Sequence, residues 1–402
     1  MNSFTNQFQC QINVSFLRGL LVSGSLLLPA SVCQTAYATE MKLNPTCEVK
    51  EEFNDNVFLT AGSKKNDFIT TITPGLGFSR SSERLNVDLL AGLSWHDYAR
   101  TPGIAATDYQ YTAQLTNRIT QRDDFGLNAA YIRNTRPDTI TAVTGLPTTS
   151  GSDTYQYSGN LRRALDETTS ASLSYSFNQE EYDNPASQSR RVHSAGLVFS
   201  KDLGDFVPLL KGTLNTNFSK SLYRDSSNDN YTISVGASRS INEQLSINLS
   251  AGGQLIQSTF ETPSQVTSDS WGAIGSASLN YSAEQGFGSF AFAHNFSAAS
   301  GQVGAVQTTS FGLTLGRNFS DKMTAQGAAS YNLNQSDIGQ YSSRGVDDRA
   351  LNLTADITYK FSKYFDVGLQ YTYYTVNHTL DDLTVSQNRV MVRAVAKYPF
   401  IP

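Results

Sequence analysis

From Leu351 to Tyr373 apolar and polar residues alternate almost without a break. Leu351, Leu353, Ala355, Ile357, Tyr359 and Phe361 share one parity; Asn352, Thr354, Asp356, Thr358 and Lys360 share the other. After the link Ser362-Lys363-Tyr364 the pattern resumes, with Phe365, Val367, Leu369, Tyr371 and Tyr373 set against Asp366, Gly368, Gln370 and Thr372. A period of two puts the apolar set on one face of a strand and the polar set on the other. Each arm runs for about eleven residues, enough for a tilted strand to cross a bilayer and about twice the usual soluble strand. Two-faced strands of that length belong to a wall with apolar material on one side and water on the other.

The pattern recurs along the chain. About eighteen alternating segments run from Thr46–Phe58, the least regular, to Val390–Phe400, and no helical period lies between them. The links alternate in length. Short ones fall near Ser81–Glu83, Gln121–Asp124, Asp166–Thr168 and Ser320–Lys322; long ones near Ala99–Thr107, Pro137–Thr154, Arg224–Asp229, Ser258–Asp269 and Thr375–Gln387. An up-and-down barrel keeps its short turns at the periplasmic end and its long loops outside, a regularity that sandwiches and propellers lack. The expected fold is all-β: a closed antiparallel up-and-down transmembrane β-barrel of about eighteen strands.

Aromatic residues mark its rims. Trp95, Tyr131, Tyr175, Phe177, Phe218, Phe296, Tyr331, Tyr371 and Tyr373 close strands that run toward the long loops. Tyr109, Tyr111, Tyr155, Tyr157, Tyr231, Trp271 and Phe311 open strands that return, so one girdle is expected at that end. Phe125, Phe206, Phe319, Phe361, Phe365, Tyr398 and Phe400 mark the opposite rim. Arg163, Arg239 and Arg317 break the apolar parity near the short turns, where they can snorkel to water.

Composition agrees. No run of about eighteen apolar residues supports a membrane-spanning helix. The net charge of −5 excludes a generally basic nucleic-acid binder. Residues 1–38 read as a cleaved secretory signal, with Arg18, the apolar stretch Gly19 to Ala30 and the small-x-small site Ala36-Tyr37-Ala38; residues 39–402 then form the barrel. Val32 makes a poor lipoprotein box before Cys33. Cleavage would leave Cys47 alone, without a partner for an internal disulfide.

The polar parity is the expected lumen, and it is rich in amides and hydroxyls. Gln110, Gln114, Asn215, Asn217, Asn248, Gln254, Gln326, Asn332, Asn352 and Gln370 are candidate solute-facing side chains. Charges on that parity are fewer: Asp88, Arg118, Arg162, Lys211, Asp356, Asp366, Arg393 and Lys397. Ion-selective pores use rings or ladders of charge. A neutral wall offering donors and acceptors suits a polyhydroxylated solute, although Ser, Thr and Asn also suit any wet lumen.

No enzyme signature appears. Adjacent strand residues face opposite ways, so His96 and Asp97 cannot pair directly. His193 and His294 fall on the apolar parity and His378 is expected in a loop. There is no Gly-x-Ser-x-Gly elbow or metal-ligand spacing, so neither catalytic residues nor a metal or cofactor is expected. Glu51, Glu52, Asn54 and Asp55 admit a calcium site, but a solvated strand end is the plainer account.

The segment Val49–Thr60 (VKEEFNDNVFLT), followed by Asp67–Arg84 (DFITTITPGLGFSRSSER), resembles the start of the β-barrel porin 2 family, in which a Glu-aromatic-x-Asp-Asn segment precedes an ITPGL strand. The distinctive parts are Phe53–Phe58 and Ile72–Leu76. The resemblance implies an outer-membrane component linked to exopolysaccharide production and export in Gram-negative bacteria. It brings no catalytic residues. The expected function is passage or assisted export of a carbohydrate polymer through a neutral polar lumen, with Pro137–Thr154 gating the mouth. The expected partners are outer-membrane lipid, a carbohydrate polymer or other polar solute, and periplasmic export machinery. Two alternatives remain: a general diffusion porin for small solutes, and an adhesive or structural barrel whose loops bind extracellular matrix.

Overall fold

A computed structural model of the chain describes residues 40–101, 103–141, 144–148, 150–185, 187–261, 266–298, 305–336 and 345–399. The expected signal and Phe400 lie outside them. The strands in chain order are β1 Glu40–Asn54, β2 Asp67–Ser81, β3 Leu85–Tyr98, β4 Ala106–Arg118 and β5 Asp123–Asn134. Two short ones follow, β6 Thr139–Ile140 and β7 Pro147–Thr148. Then come β8 Ser152–Ala164, β9 Thr169–Tyr182, β10 Arg190–Asp202, β11 Leu210–Leu222, β12 Ser226–Ser240 and β13 Leu245–Phe260. The last seven are β14 Val266–Ser282, β15 Gly286–Ala298, β16 Ala305–Asn318, β17 Met323–Ser336, β18 Val346–Ser362, β19 Phe365–His378 and β20 Leu383–Lys397. No helix occurs among the described residues.

All strands but β6 and β7 form one 18-stranded sheet, each antiparallel to its neighbour in the chain. β5 pairs directly with β8, and β6 and β7 pair only with each other. The sheet closes because β1 has partners on both sides: β2 from Glu40↔Ser81 to Asn54↔Asp67, and β20 from Thr46↔Lys397 to Asn54↔Arg389. Closure leaves no row of unpaired backbone groups, the one way a sheet can sit in hydrocarbon.

The apolar parity faces out. Ile233, Val235, Leu173 and Leu249 are each at least half exposed, and many other mid-strand apolar residues are also exposed. A continuous apolar belt of this extent is a membrane or partner surface. Aromatic rings meet across neighbouring strands near the long-loop end: Tyr111 stacks on Tyr131, Tyr131 meets Tyr155, and Tyr157 stacks on Phe177. At the short-turn end, Arg163 approaches Asp123, Arg239 donates to the Pro208 carbonyl, and Arg317 lies over Phe319. The short turns are locally capped. Asp166 accepts from Thr168 and Thr169, and those hydrogen bonds hold its carboxyl down to about 2.

Several expectations need correction. The first strand begins at Glu40, six positions before Thr46, and ends at Asn54; Val57 and Phe58 belong to the following loop, where Val57 packs against Ile69 and Tyr98. Three links expected to be long have few residues between their strands: 223–225, 261–265 and 379–382. There the strands run on past the apolar belt, with polar pairs such as Asn228↔Ser258. Alternation ends where the apolar surroundings end, but ladder hydrogen bonds need no apolar side chain. His378 is accordingly the last residue of β19. Phe296 leaves the girdle: β15 parts from β14 beyond His294↔Gly275, and the Phe296 ring turns in over Gly272 against Ile256 and Ile274.

The inside differs between its two ends. Toward the long loops the inward residues are buried, among them Thr71, His96, Ile256, Ser258, Asn334, Tyr374 and Gln387. Toward the short turns inward residues such as Asp88, Thr116, Asn128, Arg162 and Gln326 are exposed.

Candidate functional site

The longest connection, between β5 and β8, produces the contrast. Its β6–β7 hairpin enters the lumen and docks on the far wall. Its base is fixed by charge. Arg136 gives two hydrogen bonds to Glu52 on β1, at 2.7 and 3.2 Å, and two to Asp138, both at 2.9 Å. Asp138 also accepts from Asn54 at 2.8 Å and Gln387 at 3.1 Å. Burial works against the charge on Asp138, but the Arg136 charge and its hydrogen bonds outweigh burial and hold the carboxyl below its ordinary range. For Arg136 burial is again opposed, by the charges of Asp138 and Glu52, and the guanidinium is held well above its ordinary value. The group stays charged and doubly forked, a geometry suited to arginine.

The hairpin tip is fixed by shape and backbone. Asn334 on β17 donates to the Thr144 carbonyl at 2.7 Å, and the Tyr374 hydroxyl on β19 donates to the Gly145 carbonyl at 2.8 Å. Leu146 joins a buried cluster with Leu59, Ala350, Tyr374, Val376 and Val385. Gly145 has φ +68°, and a Cβ there would stand 2.6 Å from the Asn332 amide. Only glycine satisfies both constraints without strain. By the shorter way round the 18-strand ring β17 is eight places from β5, almost opposite, so the hairpin crosses the lumen. It does not hang over the mouth as expected. Tyr374→Phe leaves the buried Gly145 carbonyl without its donor and is expected to weaken the tip by about 1–3 kcal/mol. Faster hydrogen exchange in residues 139–147, with the strands unaffected, would register it.

On the short-turn side of the hairpin lies a cavity of about 680 Å3, within the usual range for small-molecule sites. Its wall includes Lys50, Asn332, Asn352, Gln370 and Arg389. This part of the barrel is not neutral, contrary to expectation. β20 turns Arg389, Arg393 and Lys397 inward, and carboxylates stand on both sides. Arg393 meets Asp356 at 3.1 Å and Lys397 meets Asp366. Lys50 approaches Glu48 at 3.5 Å, and Arg389 approaches Asp138 at 3.9 Å. Glu48, Lys50, Glu52 and Arg389 were missed because β1 alternates poorly and Arg389 precedes the recognised end of its strand. Their parity, one step from Val49 and Val390, was the available signal.

The structure scatters the other expected lumen residues. Asn332, Asn352 and Gln370 share the cavity, and Gln326 pairs in register with Asp356. Gln110 and Gln114 lie on β4, with Asp88 opposite Gln114. Arg118 and Arg162 flank Asp124 at 3.7 and 3.9 Å. Asn215 reaches Ser234 and Asn248 reaches Ser278. Asn217 is exposed beside Thr232, and Lys211 stands near the start of β11. Gln254 does not face solute. It is 2% exposed, and its amide spans the backbone N–H and carbonyl of Phe296.

The histidines and the acidic segment resolve into packing. His96 stands 2.9 Å from Asp108 and 2.9 Å from Thr71, an arrangement formed across strands rather than with Asp97. Thr71 and His96 are buried, at 2% and 5% exposure, and Asp108 is partly buried. His193 meets the Tyr175 hydroxyl, His294 meets Thr309, and His378 meets Asp348. Glu51 accepts from Thr70 on the outer face, Glu52 from Arg136 inside, and Asp55 from Asn388. These carboxylates diverge, and no group of three or more candidate metal ligands occurs among the described residues.

No family model and no curated protein matches the chain. Solved structures do. Acinetobacter baumannii OccAB4 has a TM-score of 0.48 at 10% identity, over 89% of this chain and 98% of its own. Pseudomonas aeruginosa OccK2 (OpdF) has 0.48 at 9%, over 90% and 99%. Pseudomonas aeruginosa OpdK, solved with vanillate, has 0.47 at 7%, over 89% and 99%.

Proposed function

We propose that the chain is an outer-membrane diffusion channel for small polar solutes, delivered by the signal in residues 1–38 and narrowed by a fixed internal hairpin. The apolar belt and closed sheet support the membrane setting. The observation that carries the channel reading is the hairpin tied at both ends across the lumen, with a cavity of about 680 Å3 beside it. Barrels of 16–18 strands otherwise enclose a wide aqueous path. An inward loop turns that path into a filter that small solutes can pass.

The same hairpin removes support for polymer export. A polysaccharide needs room along the whole lumen at once, and the long-loop half is filled with buried side chains. Membership of the β-barrel porin 2 family remains a reading of Phe53–Phe58 and Ile72–Leu76.

Single-channel recording in planar bilayers tests the proposal. Steady small conductance is expected from the wild type, and deletion of residues 139–147 should enlarge it several-fold. A silent wild-type barrel overturns the reading. Polysaccharide secretion by a deletion strain should remain normal; its loss would restore the export reading.

Acid should loosen the filter. Asp138 is held below its ordinary value, so the anchorage it supplies is complete above about pH 4 and is lost as pH falls through the lowered value. Recordings at pH 6 and pH 3 should show noisier, larger currents at the lower pH. Asp138→Asn should reduce that dependence, with Glu52 still bound to Arg136.

A further inference from the structure

The wall formed by β4, β5, β8 and β9, away from the cavity beside the hairpin, carries a concavity of about 560 Å3. Gln114, Asn128, Gln156, Ser158, Ser176 and Asn178 present amides and hydroxyls there, and no acidic or basic side chain is among the described residues that line it. Of the charges bounding it, Arg118 and Arg162 flank Asp124 below and Arg190 meets Glu180 at 2.9 Å above, while Asp88 stands opposite Gln114 on the next strand. Asn128 reaches Ser158 at 3.3 Å, but Gln114 and Gln156 are exposed, with their amides turned to the lumen. The Asn178 side-chain oxygen is buried without a hydrogen-bond partner. A buried acceptor of that kind costs free energy until a donor reaches it.

We propose that this amide-lined concavity binds an uncharged polyhydroxylated solute, a mono- or disaccharide, as a station on the diffusion path. The inference rests on the channel reading and names a solute class for it. Each amide and hydroxyl both donates and accepts, as a sugar hydroxyl does. Neighbouring strands repeat the groups at about 4.8 Å, comparable to the span of a sugar ring. A charged solute finds no counter-charge in the lining and would lose hydration there without compensation. With two or three exposed hydrogen bonds the station is weak, as a transport site must be if solute is to leave it.

The test uses the full barrel in a planar bilayer, with maltose as the probe. Maltose should interrupt the wild-type current, and the interruptions should persist between 0.1 M and 1 M salt, because no screened charge is involved. Gln114→Leu with Gln156→Leu should weaken blockade about tenfold, by removal of two hydrogen-bonding groups. Gln156→Asn, which keeps an amide, should retain most of it. A conducting wild-type channel that maltose never interrupts overturns the inference and leaves the channel reading standing. Equal blockade of the wild type and the double variant, or blockade that vanishes at 1 M salt, also overturns it. A barrel that inserts but carries no current counts against the channel reading itself.

Discussion

Arg136→Ala is expected to release the hairpin and convert small steady currents into large fluctuating ones. The guanidinium compensates two carboxylates, Glu52 and Asp138, whose side chains are respectively 8% and 0% exposed. Removing one partner from a buried ion pair costs about 3–5 kcal/mol, because the charge left behind has neither water nor a counter-ion. Asn54 and Gln387 can still donate to Asp138 and Arg389 remains 3.9 Å from it, but Glu52 loses both bonds to the guanidinium. The strain falls on the hairpin base while the closed sheet retains its ladders. Conductance should rise several-fold, and residues 137–148 should become open to protease, with the barrel migrating as folded on unheated gels. Unchanged current in Arg136→Ala would mean that the tip contacts alone hold the constriction. Arg136→Lys should fall between, since one ammonium cannot serve two carboxylates with paired bonds.

The second large effect separates the faces of one strand. Leu249→Arg places a charge on the outer face of β13, where Leu249 is 50% exposed in the apolar belt. Near a bilayer midplane that change costs about 2–4 kcal/mol. Asn248→Arg, one residue away, points into the lumen toward Ser278 and water, and should cost less than about 1 kcal/mol. Urea unfolding of the two variants from liposomes measures the difference. Similar losses for both would contradict a lipid-facing belt and with it the membrane placement.

The barrel wall was legible because each strand states its own two-sided environment. Leu351–Phe361 and Phe365–Tyr373 can be sorted by parity without knowing any neighbour, and eighteen strands close as that sorting implies. Legibility failed where the environment stopped being two-sided. Past the belt, Asn228 and Ser258 keep pairing with no apolar parity to announce it. Phe296 alternates correctly by number, yet it turns inward because the β14–β15 ladder ends before it.

The site was less legible than the wall. Residues 137–154 read as a long loop, and nothing local says that Thr144 and Gly145 must meet Asn334 and Tyr374, far away in the chain. Gln254, Asn332 and Gln326 look alike as inward amides. One is sealed under Phe296, one lines the cavity, and one stands in the open lumen.

Sequence alone determined the strand count, the face each strand turns to its surroundings and the end at which the long loops gather, because period two is a local property of the backbone. Only the tertiary structure decided that the longest connection folds inward, which charges become partners, and where the lumen narrows. Those outcomes depend on contacts closed between distant segments, through forked hydrogen bonds and a glycine fitted against Asn332.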